Sequence, residues 1–536
     1  MKQLFILFFS LFFCVQNSVS QGWGQTQKIT PDDRALADEF GWSVVIQGDI
    51  AAISARSEDG ASSDYGAVYI FEKDATDNWI QTQKLRNSDV RQFDRFGQSI
   101  DMEGNTMIIG ARSQDYDENG GGMFYDSGGA AYIFDRDVNG NWIQTQKLVS
   151  SDRGETFQAL LGETVAISGD YAVVNAPREI TGLDGQPDLT NAGACYIFER
   201  DTNGVWSEVQ KIVSSERYAE DKFGDFSLAI QGNTIAVGTF RHDFDENEQE
   251  EVLSAGAVYI FERDINGIWN EIQKIVVSDR EQGEWFGRSV AIEGDLLIVG
   301  ASNEYLQGNV NTQYGAVYVF ERDGNGVYNE IQKIRPNALY HQSKFGHSID
   351  VSGDRLVVGA PQMDIGSVSF GGSAFIFERD TNGIWNQTAI MYDEQVNSGD
   401  DFGYNVAISG DFAFVGAYEQ DEDSESLNPL SQAGAAYVFN INEPNTLDPL
   451  LSIQESTNAI IHVFPNPTNG ILNLNLGQTF EHLTIEVHDV LGKKLFDKIY
   501  HHVQTIQLNI DVPKGIYLLK ATTNNQATSI FKIVKR

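Results

Sequence analysis

The sequence contains few cysteines and histidines, which limits the chemistry it can carry. Of its 536 residues, two are cysteines and eight are histidines. Cys14 lies in the apolar N-terminal run, so Cys195 has no partner for an intramolecular disulfide once that run is removed. Cys195 stands in "GACYIF", where most copies of the same phrase have valine. We therefore expect Cys195 to be a buried apolar residue and not a nucleophile.

Long apolar runs are also missing, apart from one at the N-terminus. Residues 1–20 have the pattern of an export signal, with Lys2 before the apolar run and small residues before Gln21. The run is too short to span a bilayer, and no later segment approaches that length. A lipoprotein box at Cys14 is the alternative, but Phe13 stands where a small residue is normal. The sequence predicts a secreted or outer-surface protein without a transmembrane segment.

Positive charge is scarce in the main part of the chain. Residues 21–455 contain 28 Lys and Arg against 71 Asp and Glu, a net charge of −43, whereas residues 456–536 contain 8 against 5. The strong negative charge of residues 21–455 disfavours nucleic acid as a partner. It favours solubility, repulsion between copies and affinity for divalent cations, so we expect a monomer that binds no nucleic acid.

A repeat dominates the sequence. A phrase such as "FGRSVAIEGDLLIVGA" occurs seven times, and each copy is followed by one such as "GAVYIF", an acidic glycine-bearing turn, and usually an aromatic residue before "QKI". Four short segments per repeat, rich in Val, Ile, Tyr and Phe and without helical periodicity, predict four antiparallel strands. Seven units predict an all-β chain with a seven-bladed β-propeller over residues 21–443. The glycines of the first phrase are Gly41, Gly97, Gly162, Gly224, Gly287, Gly346 and Gly403.

The two ends of the repeat region complement each other. The seventh repeat lacks its fourth strand, because "GAAYVFNINEP" leads into a proline-bearing linker at residues 444–457. The opening phrase "GWGQTQKI" has the pattern of such a strand, with Trp23 four residues before Gln27, as Trp206 precedes Gln210. We predict that this N-terminal strand completes the last blade and removes two open edges. One copy, "WNQTAIM", lacks the Gln-Lys pair.

These phrases resemble the bacterial FG-GAP repeat proteins, which are relatives of the integrin α-chain propeller. The resemblance covers residues 22–443 and implies the propeller fold, but it implies adhesion, ligand binding or scaffolding equally. In integrin-like members a calcium loop joins the first two strands. Here that turn is only "QGD", "EGN" or "SGD", so the usual metal sites of the family are not expected.

The longer, variable and acidic connections run from the second to the third strand and from the fourth strand to the next repeat. We call the side that carries them the loop face, and we expect the binding surface there. The loop "DYDENGGGMFYD" has oxygen-bearing side chains at calcium-like spacing. The alternative is a solvated acidic loop, and "DFDEN" and "DEDSE" have similar spacing without the glycine. The candidate calcium ligands are Asp115, Asp117, Asn119 and Asp126.

The sequence favours a non-enzymatic protein that binds an extracellular glycan or protein ligand. The repeat region has three histidines, His242, His341 and His347, without metal-type spacing, and no nucleophile motif. His347 follows an FG pair where other repeats have Trp42 or Arg288, which we interpret as a tolerant position. A secreted carbohydrate-active enzyme and a structural surface protein remain the alternatives, because 71 acidic residues make carboxylate pairs inevitable.

After the linker, residues 458–536 have several strand-like runs that predict a small Ig-like β-sandwich. Their motifs resemble the C-terminal sorting domain of the type IX secretion pathway of Bacteroidetes. The matching phrases are "PNP" with Gly470, "DVLGK" from Asp489, "KGIY" from Lys514 and "FKIV" from Phe531. The resemblance implies that the tail engages the type IX machinery. An ordinary adhesive module is the alternative.

Overall fold

The computed structural model divides the chain into two compact units, residues 1–447 and 448–536. It describes residues 22–58, 64–117, 124–153, 158–183, 188–245, 247–277, 279–305, 313–337, 342–365, 368–393, 397–423, 429–443, 462–464, 471–489, 493–510, 512–523 and 528–535. The predicted export signal lies outside these ranges. Within them, no helix is long and apolar enough to cross a membrane.

The first unit consists of seven four-stranded antiparallel sheets, which confirms the predicted propeller fold. Blade 1 contains β2 (Phe40–Gln47), β3 (Ile50–Ala55), β4 (Ala67–Lys73) and β5 (Trp79–Leu85). Blade 2 contains β6 (Phe96–Glu103), β7 (Thr106–Ala111), β8 (Ala130–Arg136) and β9 (Trp142–Leu148). Blade 3 contains β10 (Val165–Ser168), β11 (Tyr171–Ala176), β12 (Ala194–Arg200) and β13 (Trp206–Ile212).

The remaining blades repeat this order. Blade 4 contains β14 (Leu228–Gln231), β15 (Thr234–Thr239), β16 (Ala257–Arg263) and β17 (Trp269–Ile275). Blade 5 contains β18 (Phe286–Glu293), β19 (Leu296–Ala301), β20 (Ala316–Arg322) and β21 (Tyr328–Ile334). Blade 6 contains β22 (Ile349–Ser352), β23 (Arg355–Ala360), β24 (Ser373–Arg379) and β25 (Trp385–Met391). Blade 7 contains β26 (Asn405–Ser409), β27 (Phe412–Ala417), β28 (Ala435–Asn440) and β1 (Gly24–Ile29).

Blade 7 takes its fourth strand from the other end of the unit. Strand β1 pairs antiparallel with β28, with Gly24 opposite Asn440 and Ile29 opposite Ala436. Trp23 is buried with Tyr437 and Phe439 in the core of this blade. The edge that β28 would otherwise expose is therefore hydrogen-bonded.

The innermost strands form a closed ring. In every blade the amide N–H of the glycine in the first hairpin donates to a side chain from the inner strand of the preceding blade. The bond from Gly48 to Ser409 Oγ, at 3.1 Å, joins blade 1 to blade 7. The other acceptor and glycine pairs are Gln47 and Gly104, Glu103 and Gly169, Ser168 and Gly232, Gln231 and Gly294, Glu293 and Gly353, and Ser352 and Gly410.

The glutamine of "QKI" joins neighbouring blades at the perimeter. Gln83 Nε2 donates to the carbonyl of Trp142 at 2.7 Å, and its Oε1 accepts the Trp142 N–H at 2.8 Å. Because Ala389 replaces this glutamine in "WNQTAIM", the contact from blade 6 to Trp23 lacks the pair. The other pairs are Gln27 with Trp79, Gln146 with Trp206, Gln210 with Trp269, Gln273 with Tyr328, and Gln332 with Trp385.

The lysine of "QKI" neutralises part of the acidic surface. In blade 2, Lys147 lies 2.7 Å from Asp89, which also accepts a hydrogen bond from the buried Tyr132 hydroxyl at 2.7 Å. Blades 3 and 5 repeat the arrangement, with Lys211, Asp152 and Tyr196, and with Lys333, Asp279 and Tyr318. Many repeat carboxylates are thus structural anchors.

The FG pair fills the gap between blades. Phe402 is fully buried and packs against Tyr437 with ring centroids 5.0 Å apart. Gly403 has φ of 92°, and a Cβ there would lie 2.2 Å from the Ser373 carbonyl oxygen. Glycine is required because neither the backbone conformation nor the space tolerates a side chain.

Each outer hairpin with an Asn-Gly pair is shaped by its glycine and by an aspartate. Only the glycine of the Asn-Gly pair has positive φ, as at Gly140, where φ is 89°. Asp137 stabilises the turn, because its Oδ1 accepts the N–H groups of Asn139 and Asn141, each at 2.8 Å. These hydrogen bonds lower the pKa of Asp137. The aspartate is therefore a cap of the turn.

Cys195 is fully buried beside Val173 and Ile197. Burial raises the pKa of its thiol to about 12, so the reactive thiolate is disfavoured.

The described residues of the second unit form one hydrogen-bonded sheet. Its strands are β29 (His462–Phe464), β30 (Ile471–Asp489), β31 (Lys494–Asn509), β32 (Gly515–Thr523) and β33 (Thr528–Lys535). The order is β29-β30-β32-β33, with β31 also paired to β30. Leu472, Ile485 and Leu519 belong to its apolar core. A β-sandwich needs two sheets, and the five described strands belong to one. The predicted Ig-like sandwich therefore stays a prediction. The "PNP" phrase and most of "DVLGK" lie outside the described residues.

Candidate functional site

The six FG pairs, together with Leu161-Gly162 at the same position of blade 3, place one residue each at the same end of the propeller axis. Each pair follows a connection on the loop face. For example, the Phe286 N–H donates at 2.9 Å to the carbonyl of Ala255, which lies on the loop-face connection between β15 and β16. A cavity of about 140 Å³ lies at this end, and every blade contributes to its lining. The residues that directly follow the FG glycine are Trp42, Gln98, Glu163, Asp225, Arg288, His347 and Tyr404.

Blade 4 departs from this pattern by one residue. Its first phrase, "FGDFSLAIQGN", is one residue longer than the others, and Phe226 has φ of 62°. The extra residue places Phe226 in the cavity lining, where the other six blades use the residue after the glycine. Asp225 is buried behind it, and burial raises its pKa to about 7.

Aromatic side chains form one wall of the cavity. Trp42 is 7% exposed and lies 4.6 Å from Tyr404 and 5.0 Å from Tyr418, measured between ring centroids. The guanidinium of Arg56 covers Trp42 at 3.0 Å from the ring centroid. Tyr404 and Tyr418 lie 4.5 Å apart and are both partly exposed. Burial raises the pKa of Tyr404 to about 12, so its hydroxyl keeps its proton at neutral pH.

A hydrogen-bonded polar chain forms the next part of the wall. Gln98 Nε2 donates to Glu163 at 2.8 Å, and Arg112 forms an ion pair with Glu163 at 2.9 Å. The backbone carbonyl of Gln98 accepts the indole N–H of Trp42 at 3.0 Å. These contacts fix Gln98 and Glu163 before any ligand binds, which makes this wall preorganised.

Arg288 and His347 complete the cavity. The Arg288 guanidinium lies 4.5 Å from the ring centroid of Phe226 and 5.8 Å from that of Phe240. Its Nη2 lies 3.2 Å from His347 Nε2, and His347 lies 4.8 Å from Tyr404 between ring centroids. Burial, with the charges of Arg288 and Lys344, holds the pKa of His347 well below its usual range. His347 is therefore neutral, with Nε2 accepting the hydrogen bond from Arg288.

A second ring of residues precedes the FG pairs. All seven adopt left-handed backbone conformations, with φ between 52° and 63°: Glu39, Arg95, Leu160, Lys222, Trp285, Lys344 and Asp401. Burial lowers the pKa of Lys344 to about 8 and raises that of Asp401 to about 7. Both also line a cavity of about 350 Å³ on the loop face. This ring therefore brings charges of both signs close to the axis.

Of the predicted calcium ligands, Asp115, Asp117 and Asp126 lie on the connection between β7 and β8, and none of them lines the axial cavity. Asp115 Oδ1 accepts the Ser127 N–H at 2.7 Å, and the Asp117 carbonyl accepts a hydrogen bond from Lys147 Nζ at 2.8 Å. Burial, with the neighbouring charge of Asp126, raises the pKa of Asp115. Asn119 lies outside the described residues.

Three acidic loops use their first aspartate in the same way. Asp243 Oδ1 accepts the Ser254 N–H at 2.7 Å, and Asp421 Oδ1 accepts the Gln432 N–H at 2.8 Å, as Asp115 does with Ser127. The first aspartate thus closes its loop. Among the residues that the structure describes, no group of three or more His, Cys, Asp or Glu is placed to hold a metal ion. Calcium binding at Asp115, Asp117, Asn119 and Asp126 stays a prediction.

Sequence reasoning missed the axial cavity. The signal was the variation after the FG glycine, where Trp42, Arg288, His347 and Tyr404 interrupt otherwise uniform phrases. We interpreted that variation as tolerance. The structure shows that these side chains, 57 to 362 residues apart in sequence, border one cavity. The position that varies among the otherwise uniform repeats is therefore the one whose side chains line the axial cavity.

Comparison with known families identifies both units. The FG-GAP repeat model matches residues 23–71, 79–134, 142–198, 206–261, 269–320, 328–377 and 385–439. The secretion system C-terminal sorting domain model matches residues 462–536. Both resemblances noted in the sequence are confirmed. The sorting domain indicates secretion through the type IX pathway.

Two individual proteins are also similar to this chain. An endo-acting ulvan lyase from Formosa agariphila is 22% identical over 404 residues, covering 68% of this chain and 74% of the lyase. The crystal structure of a protein from Lactobacillus plantarum superimposes with a TM-score of 0.40 at 13% identity, covering 67% of this chain and 85% of that one. At this level of structural similarity, the second comparison carries no functional argument.

Proposed function

This chain belongs to the FG-GAP repeat family and carries a secretion sorting domain, and from that premise we propose that its propeller binds an extracellular glycan in the axial cavity. The observation that carries the proposal is the convergence of aromatic and polar side chains from all seven blades on one cavity. Such a combination, with apolar walls and a few fixed polar groups, is typical of small-molecule sites.

The size of the cavity favours a sugar over a protein surface. At about 140 Å³ it is smaller than the roughly 300–1,000 Å³ of drug-sized pockets, so it suits one sugar ring or one substituent. Trp42 and Tyr404 in the lining offer apolar faces with polar tips, which suits a ligand that is apolar on its ring faces and polar at its edges. Gln98 and Asn405 supply amide groups in the same lining.

Glycan-array binding of the full secreted chain tests the proposal. We expect Tyr404→Ala to weaken binding of the recognised glycan at least tenfold, because it removes the aromatic side chain between Trp42 and His347. Ile265→Ala is the matched control, since Ile265 is 99% exposed on an outer hairpin away from the loop face. Equal binding by both variants, or no binding to any glycan, would reject the axial site and favour a structural surface protein.

A carbohydrate lyase is the second candidate, because the chain is 22% identical to an endo-acting ulvan lyase. Elimination needs a general base at the proton to be removed. His347 and Tyr404 are the candidates in the cavity, but His347 Nε2 already accepts a hydrogen bond from Arg288, and Tyr404 keeps its proton. This arrangement supports binding better than proton abstraction.

An activity assay separates the two functions. The full chain is incubated with ulvan and with other soluble polysaccharides, and new reducing ends are measured over time. Cleavage by the wild-type chain that is lost in His347→Ala, with Ile265→Ala unaffected, would replace the binding proposal with the lyase. We expect no cleavage above that of buffer.

A further inference from the structure

Arg288 is a buried cation without a carboxylate partner. Its side chain belongs to a residue that is 8% exposed, and within the described ranges no Asp or Glu oxygen lies within 4.0 Å of its guanidinium. Its neighbours are the rings of Phe226 and Phe240 and the acceptor nitrogen of His347. Two arginines that contact lining residues from behind differ, since Arg56 pairs with Glu39 at 2.5 Å and Arg112 with Glu163 at 2.9 Å.

The surrounding carboxylates leave Arg288 available. Glu163 already accepts hydrogen bonds from Arg112 and Gln98. Asp225 is the other acidic side chain that acts on Arg288, and its pKa of about 7 leaves it only partly ionised at neutral pH. Lys344 adds a second cation near Arg288; its ammonium lies 4.5 Å from the Trp285 ring centroid and donates to Asn303.

An unpaired buried charge is costly, so its retention calls for a reason. Desolvating a guanidinium is unfavourable unless an anion or several hydrogen bonds compensate. The phenylalanine rings restrict the guanidinium and leave its N–H edge for hydrogen bonding. Arginine has five donors in a planar fork that matches the two oxygens of a carboxylate or sulfate.

We infer that the axial cavity binds an acidic sugar, and that Arg288 anchors the carboxylate or sulfate oxyanion of that sugar. The inference rests on the proposed glycan function and specifies its ligand class. The oxyanion would sit against the N–H edge of Arg288, with Lys344 nearby and the sugar ring against Tyr404. Residues 21–455 have a net charge of −43, so the surface of this region repels a polyanion that extends along it. The site therefore suits one acidic residue of a short glycan.

Calorimetric titration of the full secreted chain with defined trisaccharides tests this inference. The probes are trigalacturonic acid, its trimethyl ester, which masks the carboxylates, a sulfated galactan trisaccharide without carboxylates, and a neutral galactose trisaccharide. We expect at least one of the two acidic probes to bind tenfold or more tightly than its neutral counterpart. The preferred acidic probe identifies the oxyanion.

Variants then assign the preference to Arg288. Arg288→Met should remove the acidic preference and Arg288→Lys should reduce it severalfold, because lysine keeps the charge without the planar fork. Arg322→Met is the matched control, since Arg322 pairs with Glu262 at 2.7 Å near an outer hairpin and should change binding less than twofold. Thermal melting of each variant separates loss of the oxyanion contact from loss of folding, and Arg288→Lys serves if Arg288→Met fails to fold.

The outcomes distinguish this inference from the proposed function. If acidic and neutral trisaccharides bind equally and Tyr404→Ala abolishes both, the glycan site stands and the oxyanion anchor is refuted. An acidic preference that survives intact in Arg288→Lys and Arg288→Met also refutes the anchor. If none of the four probes binds while the glycan array identifies a neutral ligand, the oxyanion anchor is rejected and the glycan site stands; if the array also shows no binding, both are rejected.

Discussion

Removing one glutamine at the perimeter should measurably weaken the propeller. In Gln83→Ala, two hydrogen bonds to the backbone of Trp142 in the next blade are lost, at 2.7 and 2.8 Å. A partly buried hydrogen bond contributes about 1 kcal/mol net, so the pair contributes about 2 kcal/mol. We expect the free energy of unfolding to fall by this amount.

Urea unfolding followed by tryptophan fluorescence measures the change. The matched control is Thr82→Ala on the same strand, because Thr82 is exposed and its hydroxyl makes only a 3.5 Å contact to the Ile70 carbonyl. The control should change stability by less than about 0.5 kcal/mol.

A second variant tests whether the loss of stability also occurs where the two joined blades are not consecutive in the chain. Gln27→Ala removes the equivalent pair between β1 and Trp79, at 2.9 Å for both bonds, where the two blades belong to opposite ends of the unit. We expect a similar loss of about 2 kcal/mol. If Gln83→Ala and Thr82→Ala unfold at the same urea concentration, the glutamine pairs do not stabilise the ring and our reasoning is refuted.

Three further predictions follow from the fold and its loops. Burial raises the pKa of Asp350 to about 7, so the folded state binds this proton more tightly than the unfolded state, and the associated stability is lost as pH rises from about 4 to 7. Asp350→Asn should therefore lower the melting temperature less at pH 8 than at pH 5, and parallel melting curves would contradict this. Gly403→Ala should destabilise the chain far more than Gly410→Ala. At Gly403 the new Cβ would lie 2.2 Å from a carbonyl oxygen, whereas at Gly410 nothing lies within 4 Å and the backbone conformation alone costs about 1 kcal/mol. Equal chemical unfolding midpoints for the two variants would contradict this. Calcium should raise the melting temperature of the wild-type chain but not of Asp117→Ala, and an unchanged wild-type melting curve would remove the calcium prediction.

The sequence by itself determined the repeating parts of this protein. Strand period, glycine turns and the FG pair are local signals, and they recur often enough to establish seven blades. The opening phrase around Trp23 matched the fourth strand of other repeats residue by residue. The tail motifs likewise identified the sorting domain without structural information.

Local patterns did not reveal the axial cavity. Trp42, Arg288 and Tyr404 become neighbours only because seven sheets turn through a full circle, and no sequence spacing records that closure. One inserted residue places Phe226 in the lining while Asp225 is buried, a shift that depends on the backbone conformation. Whether a charged side chain has an ion-pair partner also depends on the tertiary structure. Arg112 forms an ion pair with Glu163, whereas Arg288 packs against two aromatic rings. Tertiary structure decided the site because binding depends on which side chains meet, whereas strand formation depends mainly on near neighbours in the sequence.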